Sequence, residues 1–545
     1  MHLAHGISSH VEGTDMTPSF TRRAFTGGAG AALFSVIATR KGFSAPAEQT
    51  DVEIHTRADI GTISPLLHGS FAEHLGSCIY GGIWVGKNSS IPNTEGYRTQ
   101  SLEYLKDLGI PVLRWPGGCF ADDYHWRDGI GPLAKRPRRV NIHWGNYVED
   151  NSFGTHEFMR LCRLIGAEPY LAANLGSGSP EELRDWVEYC NYPSGSSLSD
   201  ERAANGWPEP FRVRFWGVGN ENWGCGGNMT GDEYAAHFKR FQTYVRPFGD
   251  VRPFTIACGP NRNDTEWTRR FMGVAGPSAA RARGVLPNAF AMHYYQNGRD
   301  EPTKFTVESM REQFNLVARM EEAIVVQRGL LDSYLQMPAA AQSQRPQVHL
   351  MVDEWGVWDR MIPEEEKNFG RLWMQSTMRS AVAGAMGLNV FHRQAGKLFM
   401  CNIAQTVNVL QSVLLAHEKN CVRTSSYYAF ALQKPHRGNT AVRTEAANSP
   451  LGISVSASRK DNDLVVTLIN PKHDTAMKVN CALLGASASS ARAQLLHHPD
   501  YNACNTFEQP NVIVPKEHAV SVAGGRLSMD LPAMSIATVT VRLSS

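Results

Sequence analysis

Two acidic residues in this 545-residue chain each stand at the end of an apolar run. The first, Glu221, lies in RVRFWGVGNENWGCGG over residues 212–227, where a β-branched and aromatic run at 213–218 gives way to Gly219, Asn220, Glu221 and Asn222. Such a run suits a strand buried on both faces. Glycine permits a sharp turn after it, and the carboxylate then stands beside two amides. The second, Glu354, lies in VHLMVDEWG over residues 348–356, again an apolar run ending in an acid, with Trp355 next. A carboxyl at the C-terminal end of a buried parallel strand faces the cleft where α/β folds place their chemistry. Two of them on neighbouring strand ends are the minimum apparatus of glycoside hydrolysis, one as acid and base, the other as nucleophile or base.

The elements that must hold this pair are legible as an alternation. The pattern predicts strands over 66–71, 110–115, 169–174, 213–218, 255–258, 289–294, 348–352 and 388–392, with helices between them over 99–108, 156–165, 180–190, 231–245 and 308–335. Pro180 followed by Glu181 and Glu182 opens one helix with proline in the first turn and acids near the positive end of the dipole. Eight such alternations over about 350 residues predict a (β/α)8 barrel rather than an open sheet. No glycine-rich nucleotide loop follows the first strand, which argues against a dinucleotide-binding protein. Polar or aromatic groups gather at the predicted strand ends: Glu73 and His74, then Arg114, Trp115 and Cys119, then Asn174, Asn220 and Glu221, His293, Tyr294 and Tyr295, and Glu354 with Trp355. Each has a plain structural explanation, Arg114 as partner of a buried carboxylate and His293 as a hydrogen-bonded core histidine. Their agreement in position points to a site.

Composition narrows the class. The chain is 42% hydrophobic and 19% charged with a net charge of +2, as expected of a globular protein of two or more domains. No basic cluster interleaved with aromatics suggests nucleic acid. Ten cysteines are dispersed without CxxC pairs, which predicts buried thiols rather than a zinc ribbon or a disulfide scaffold, and the histidines lack HExxH spacing. No metal or cofactor is expected. Beyond about residue 416 the texture turns to short alternating strands, predicted over 452–455, 464–468, 492–496, 512–514 and 535–543. Ahead of the fold, Arg22 and Arg23 precede a Gly- and Ala-rich run at 27–38 and then Ala45-Pro46-Ala47, with Met16 as an alternative start. This reads as a twin-arginine export signal, too short and glycine-rich to span a membrane, and predicts a periplasmic or secreted protein. The expected division is 1–47 signal, 48–62 a strand joining a β-sandwich, 63–415 barrel and 416–545 sandwich.

Several segments, in order across about residues 50–545, resemble the α-L-arabinofuranosidases of glycoside hydrolase family 51. They are Ala72-Glu73-His74-Leu75-Gly76, RWPGGCFADDYHWRDGIGP at 114–132, residues 217–227, VDEWGVW at 352–358, Ala404-Gln405-Thr406-Val407-Asn408 and Asn505-Thr506-Phe507-Glu508. The resemblance implies a (β/α)8 barrel with a jelly-roll-like β-sandwich that includes the N-terminal strand. It implies a retaining, exo-acting enzyme, without metal or cofactor, that removes terminal non-reducing α-L-arabinofuranosyl residues from arabinan, arabinoxylan or arabino-oligosaccharides, and that is homo-oligomeric. Matched position by position, Glu221 is the acid/base and Glu354 the nucleophile, while Glu73, Asn220, Tyr295 and Gln405 hold the sugar ring, with His293 as a further sugar contact. Trp144 and Trp358 look like aromatic walls of the same subsite. Cys119 takes a sugar-contacting position where other members have asparagine, and Cys225 could pair with it under oxidising conditions. The carboxylate pair alone does not choose the sugar, so a β-xylosidase or endoglucanase on the same barrel is the alternative; a non-catalytic carbohydrate-binding protein and a metal-dependent hydrolase are more distant ones.

Overall fold

The computed structural model of the chain describes residues 47–277, 285–336, 347–446 and 452–544. The paired arginines at 22 and 23, the run at 27–38 and Met16 lie outside the described residues. Among the described residues no helix is long and apolar enough to cross a membrane.

The first strand, β1 (Glu48–Thr62), is followed by eight parallel strands that close into a barrel in chain order. These are β2 (Gly69–Phe71), β3 (Val112–Trp115), β4 (Glu168–Ala173), β5 (Phe215–Val218), β6 (Phe254–Asn261), β7 (Ala289–Asn297), β8 (His349–Trp358) and β9 (Leu398–Ala404). A helix follows each: α1 (Thr99–Leu108), α2 (Thr155–Ile165), α3 (Pro180–Asn191), α4 (Gly231–Tyr244), α5 (Thr265–Ala275), α6 (Val307–Tyr334), α7 (Met378–Arg393) and α8 (Ser425–Gln433). The local signals work as expected. Ser179 caps α3 by accepting from Glu182 N–H, with Pro180 in its first turn.

Alternation along the strands divides the core into two compartments. Val112, Tyr170, Phe215, Ile256, Ala289, Met351 and Met400 fill the barrel interior. The next residues along, such as Leu113, Leu171, Trp216, Phe290 and Val352, pack outward against the helices. The same parity carries Arg114 inward one step above Val112, towards the C-terminal mouth.

Two predicted strands are corrected. Residues 388–392 belong to α7, and the eighth strand is β9. Every residue of α7 from Met378 to His392 is buried, because the helix is wedged between β8 of the barrel and the second domain. A helix covered on all sides loses the polar stripe that reveals a 3.6-residue period. Residues 512–514 form a turn: Asn505 accepts from Ile513 N–H at 2.7 Å and donates to Ile513 C=O at 3.0 Å, so this apolar stretch is tied to a side chain and not to a strand.

The second domain is a ten-stranded sheet made from β1 and nine later strands: β10 (Thr440–Glu445), β11 (Ser454–Lys460), β12 (Asp463–Asn470), β13 (Met477–Leu484), β14 (Ser487–His497), β15 (Lys516–His518), β16 (Ser521–Ala523), β17 (Arg526–Leu531) and β18 (Ser535–Ser544). Their order is β15-β14-β18-β12-β11-β10-β1-β13-β17-β16. The sheet folds over on itself as a sandwich, since β14 and β16, near opposite edges, are in contact and Val466 of β12 shares one core with Val479 of β13. The N-terminal strand lies in the middle of this sheet, antiparallel to β10 and parallel to β13.

Candidate active site

At the barrel mouth Arg114, fully buried, acts as the organising cation. Its Nη1 donates to Glu354 Oε1 at 2.7 Å, its Nη2 to Asn220 Oδ1 at 2.5 Å, and its Nε lies 3.3 Å from Asp353 Oδ2. Consecutive residues on a regular strand point to opposite faces, yet Asp353 and Glu354 both face Arg114. The ladder is irregular here: pairing with β9 shifts between Val352 and Trp355, and pairing with β7 shifts so that His293 stands opposite Glu354. Asp353 is held in turn by Tyr170 and Asn402, each donating at 2.7 Å.

Glu354 is built to carry charge. Tyr295 donates to its Oε2 at 2.6 Å and His293 Nδ1 is 3.6 Å from the same oxygen. Burial pushes this carboxyl up, but the charges on His293 and Arg114 and the hydrogen bonds from Arg114 and Tyr295 outweigh that and hold it below the usual carboxylate range. Burial likewise presses the His293 imidazole down, and the carboxylates of Glu354 and Glu221 more than reverse it.

Glu221 is mounted differently. It sits past the end of β5 with φ of 44°, in the left-handed region, and its side chain is 18% exposed against 5% for Glu354. The preceding Gly219 has φ of 86° and a Cβ there would lie 2.3 Å from Asn222 Oδ1, so this tight turn requires glycine. Glu221 Oε1 lies 2.9 Å from His293 Nδ1, and Oε2 faces the disulfide that joins Cys119 to Cys225. His293 Nδ1 and one oxygen of each carboxylate all fall within 4.8 Å of one another.

Glu73 is buried at the same mouth. Its Oε1 accepts from Trp144 Nε1 at 2.9 Å and Phe120 N–H at 3.0 Å, and its Oε2 from Gln405 Nε2 at 3.1 Å. Burial and the neighbouring charge of Glu354 push its carboxyl up to about 8. The chain at Gly117 and Gly118 approaches so closely that a Cβ on either would come within 3 Å of the Glu73 side chain. Trp358 stands edge-on to Tyr295, ring centroids 5.0 Å apart. All ten residues singled out from sequence thus gather at one mouth: Glu73, Cys119, Trp144, Asn220, Glu221, His293, Tyr295, Glu354, Trp358 and Gln405. Of the other histidines, His74 is a core residue bonded to Glu149 and Trp115, and His125 pairs with Glu182 away from the pocket.

The sequence leaves the partner of Arg114 open and gives two further groups at the mouth no role. Arg114 was noted as a partner for some buried carboxylate, and that carboxylate is Glu354 itself. Asp353 sits beside the acid that drew attention. Asp122 accepts from Asn220 N–H at 2.7 Å, Leu175 N–H at 2.7 Å and Gly176 N–H at 2.8 Å, binding the turn after β3 to those after β4 and β5. Its only sequence signal was a place in the 114–132 segment.

Comparisons with known proteins agree with this geometry. The model of the α-L-arabinofuranosidase 1 domain matches residues 104–312 and that of the α-L-arabinofuranosidase C-terminal domain matches residues 353–535. An intracellular exo-α-L-arabinofuranosidase of Bacteroides ovatus is 38% identical over 507 residues, covering 91% of this chain and 96% of its own length. This chain belongs to the α-L-arabinofuranosidases of glycoside hydrolase family 51. Among solved structures, the family 51 arabinofuranosidase from Xanthomonas axonopodis pv. citri superposes with a TM-score of 0.84 at 36% identity, covering 91% of this chain and all of its own. The Thermotoga maritima α-L-arabinofuranosidase in its arabinose complex does so with a TM-score of 0.79 at 29% identity and the same coverage. The chain is therefore a glycoside hydrolase, an α-L-arabinofuranosidase, on a barrel with a β-sandwich, and the xylosidase and endoglucanase alternatives are set aside.

One relative also corrects an expectation. The Bacteroides ovatus relative is named as intracellular, which overturns the reading of this chain as exported to the periplasm or secreted.

Proposed function

We propose that the chain removes terminal non-reducing α-L-arabinofuranosyl residues from arabinan, arabinoxylan or arabino-oligosaccharides with retention of configuration. The observation that carries this reading is the closeness of the two acids, with oxygens of Glu221 and Glu354 within 4.8 Å and one imidazole shared between them. Retaining enzymes hold their carboxyl groups roughly 5–5.5 Å apart and inverting ones about 6.5–9.5 Å, the wider gap leaving room for water. In this reading Glu354, kept ionised by Arg114, Tyr295 and His293, attacks the anomeric carbon as Glu221 protonates the leaving oxygen. Glu221 then acts as base and activates the water that frees arabinose from the covalent intermediate. The partial exposure of Glu221 suits it to exchange protons with that water.

Glu73, Asn220, Gln405 and His293 supply polar contacts for the sugar, Cys119 borders it, and Trp144, Tyr295 and Trp358 supply its walls. The domain division proposed is a barrel over about 63–433 that includes α8 and a sandwich over about 440–544 with residues 48–62, a later boundary than the expected 415/416. We also propose a homo-oligomer, supported by the hairpin of Arg139–Asn141 and Tyr147–Glu149 beside the pocket, where Val140, Ile142, Tyr147 and Val148 are each at least half exposed; a single-chain mass by light scattering would reject it.

The test of the reaction is release of nitrophenol from the α-L-arabinofuranoside beside the β-xyloside and β-glucoside, with proton NMR of the first-formed sugar. Turnover of the arabinoside with α-arabinose as first product supports the reading. An inverted product would overturn the double displacement.

A further inference from the structure

The mechanism above leaves one pair of groups unused, the two sulfurs against the acid/base. Glu221 Oε2 is 3.6 Å from Cys225 Sγ and 4.0 Å from Cys119 Sγ, and these three atoms lie within 4.8 Å of one another. All three residues are part exposed, so they are reachable from the cleft. The two loops that present them are fastened independently of the disulfide. Asp122, three residues after Cys119, accepts from Asn220 N–H at 2.7 Å and from Asn222 Nδ2 at 3.3 Å, across from Cys225. Gly226, directly after Cys225, lies so close to this clamp that a Cβ there would be 2.4 Å from Asp122 Oδ2. The two cysteines therefore stay neighbours when the sulfur–sulfur bond is opened.

Opening that bond changes what the cluster can bind. A phosphine reductant takes the oxygen of one water and becomes the phosphine oxide, while its two electrons and the two protons of that water convert the disulfide to two thiols. Loss of both thiol protons to solvent on metal binding then leaves two thiolates and a carboxylate, a ligand set that suits zinc at about 2.3 Å to sulfur and about 2.0–2.2 Å to oxygen.

We propose that reduced Cys119 and Cys225, together with Glu221, form a three-ligand site for a thiophilic divalent cation such as zinc, with its fourth position open to water, and that the disulfide closes this site. A metal on Glu221 takes the oxygen that must carry the proton, so the bound state does not hydrolyse arabinosides with poor leaving groups. That consequence rests on the acid/base reading above; the binding does not.

The experiment compares the full chain as the disulfide and after phosphine reduction, titrating each with zinc by calorimetry and with cobalt by absorption, and following turnover of an alkyl arabinofuranoside in parallel. The reduced chain should bind one metal per chain with a thiolate-to-cobalt charge-transfer band, and zinc should slow turnover roughly 10²-fold, restored by a chelator. The disulfide form should do neither. The eight other cysteines are free thiols in both forms, so the difference between forms isolates the pair. A reduced chain without the band, equal zinc sensitivity in both forms, or an undiminished band in the reduced Cys225→Ser variant would each overturn the site. A band with turnover unaffected by zinc would keep the site and overturn the acid role of Glu221.

Discussion

The barrel mouth and the seam between barrel and sandwich both bury ionisable side chains completely, and they treat them in opposite ways. At the mouth the groups are charged and paired, Arg114 against Glu354 and Asp353, with His293 drawn up by two carboxylates. At the seam three histidines meet as neutral rings. His68 Nε2 is 2.9 Å from His392 Nε2, His392 Nδ1 is 3.1 Å from Ser456 Oγ, and His436 bonds Ser458 Oγ at 2.8 Å and Thr467 Oγ1 at 2.9 Å. His68 and His392 come from the barrel side, and the hydroxyls belong to β11 and β12 of the sandwich. Burial holds all three imidazoles down, His436 to about 3. A buried charge needs a partner placed to match it, whereas a neutral imidazole needs only a hydroxyl. The molecule keeps paired charge where a positive transition state must be met, and at the seam it meets the sandwich hydroxyls with neutral rings.

Three perturbations separate the two regions. The largest effect belongs to the mouth: Glu354→Ala should lower kcat by roughly 10⁴-fold or more with the circular dichroism spectrum unchanged, and substantial retained turnover would remove it as nucleophile. Next, Glu221→Ala should cost roughly 10²–10⁴-fold on an alkyl arabinofuranoside but far less on the nitrophenyl one, because nitrophenolate leaves without a proton. Equal losses on both would contradict the acid role. The smallest effect belongs to the seam and appears in stability. Below about pH 6.5 the unfolded chain protonates histidines that the folded chain keeps neutral. Stability is thus fully present above that pH and is lost as pH falls towards the depressed folded values, by about 1.4 kcal/mol per pH unit for each histidine. Thermal melts between pH 7.5 and 5 should show the loss, and His436→Gln should shallow the slope. A slope unchanged by that substitution would mean the seam does not set acid stability.

What the sequence disclosed follows the same division. Strand ends at the mouth were legible because a buried parallel strand is apolar throughout, so acids at its end stand out, as Glu221 and Glu354 did. Arg114 was visible but its partner was not: Glu354 is 240 residues away, and only closure of the barrel brings them together. Asp122 works by hydrogen bonds between loops and Asp353 by bonds to other strands of the barrel, which no local pattern encodes. The seam left no signal, since His392 lies in a helix buried all round, whose apolar run reads as a strand. The same wedge of α7 hid the true position of β9.

The placement of β1 sets an order on the birth of the molecule. Its partners are β10 and β13, so β1 waits for roughly 380 more residues before either neighbour exists. At about 5–20 residues per second that delay is roughly 20 to 75 seconds, during which the barrel is made. A nascent chain halted after α8 holds all eight barrel strands and helices and an unpaired β1, and only the strands made after it give β1 its neighbours.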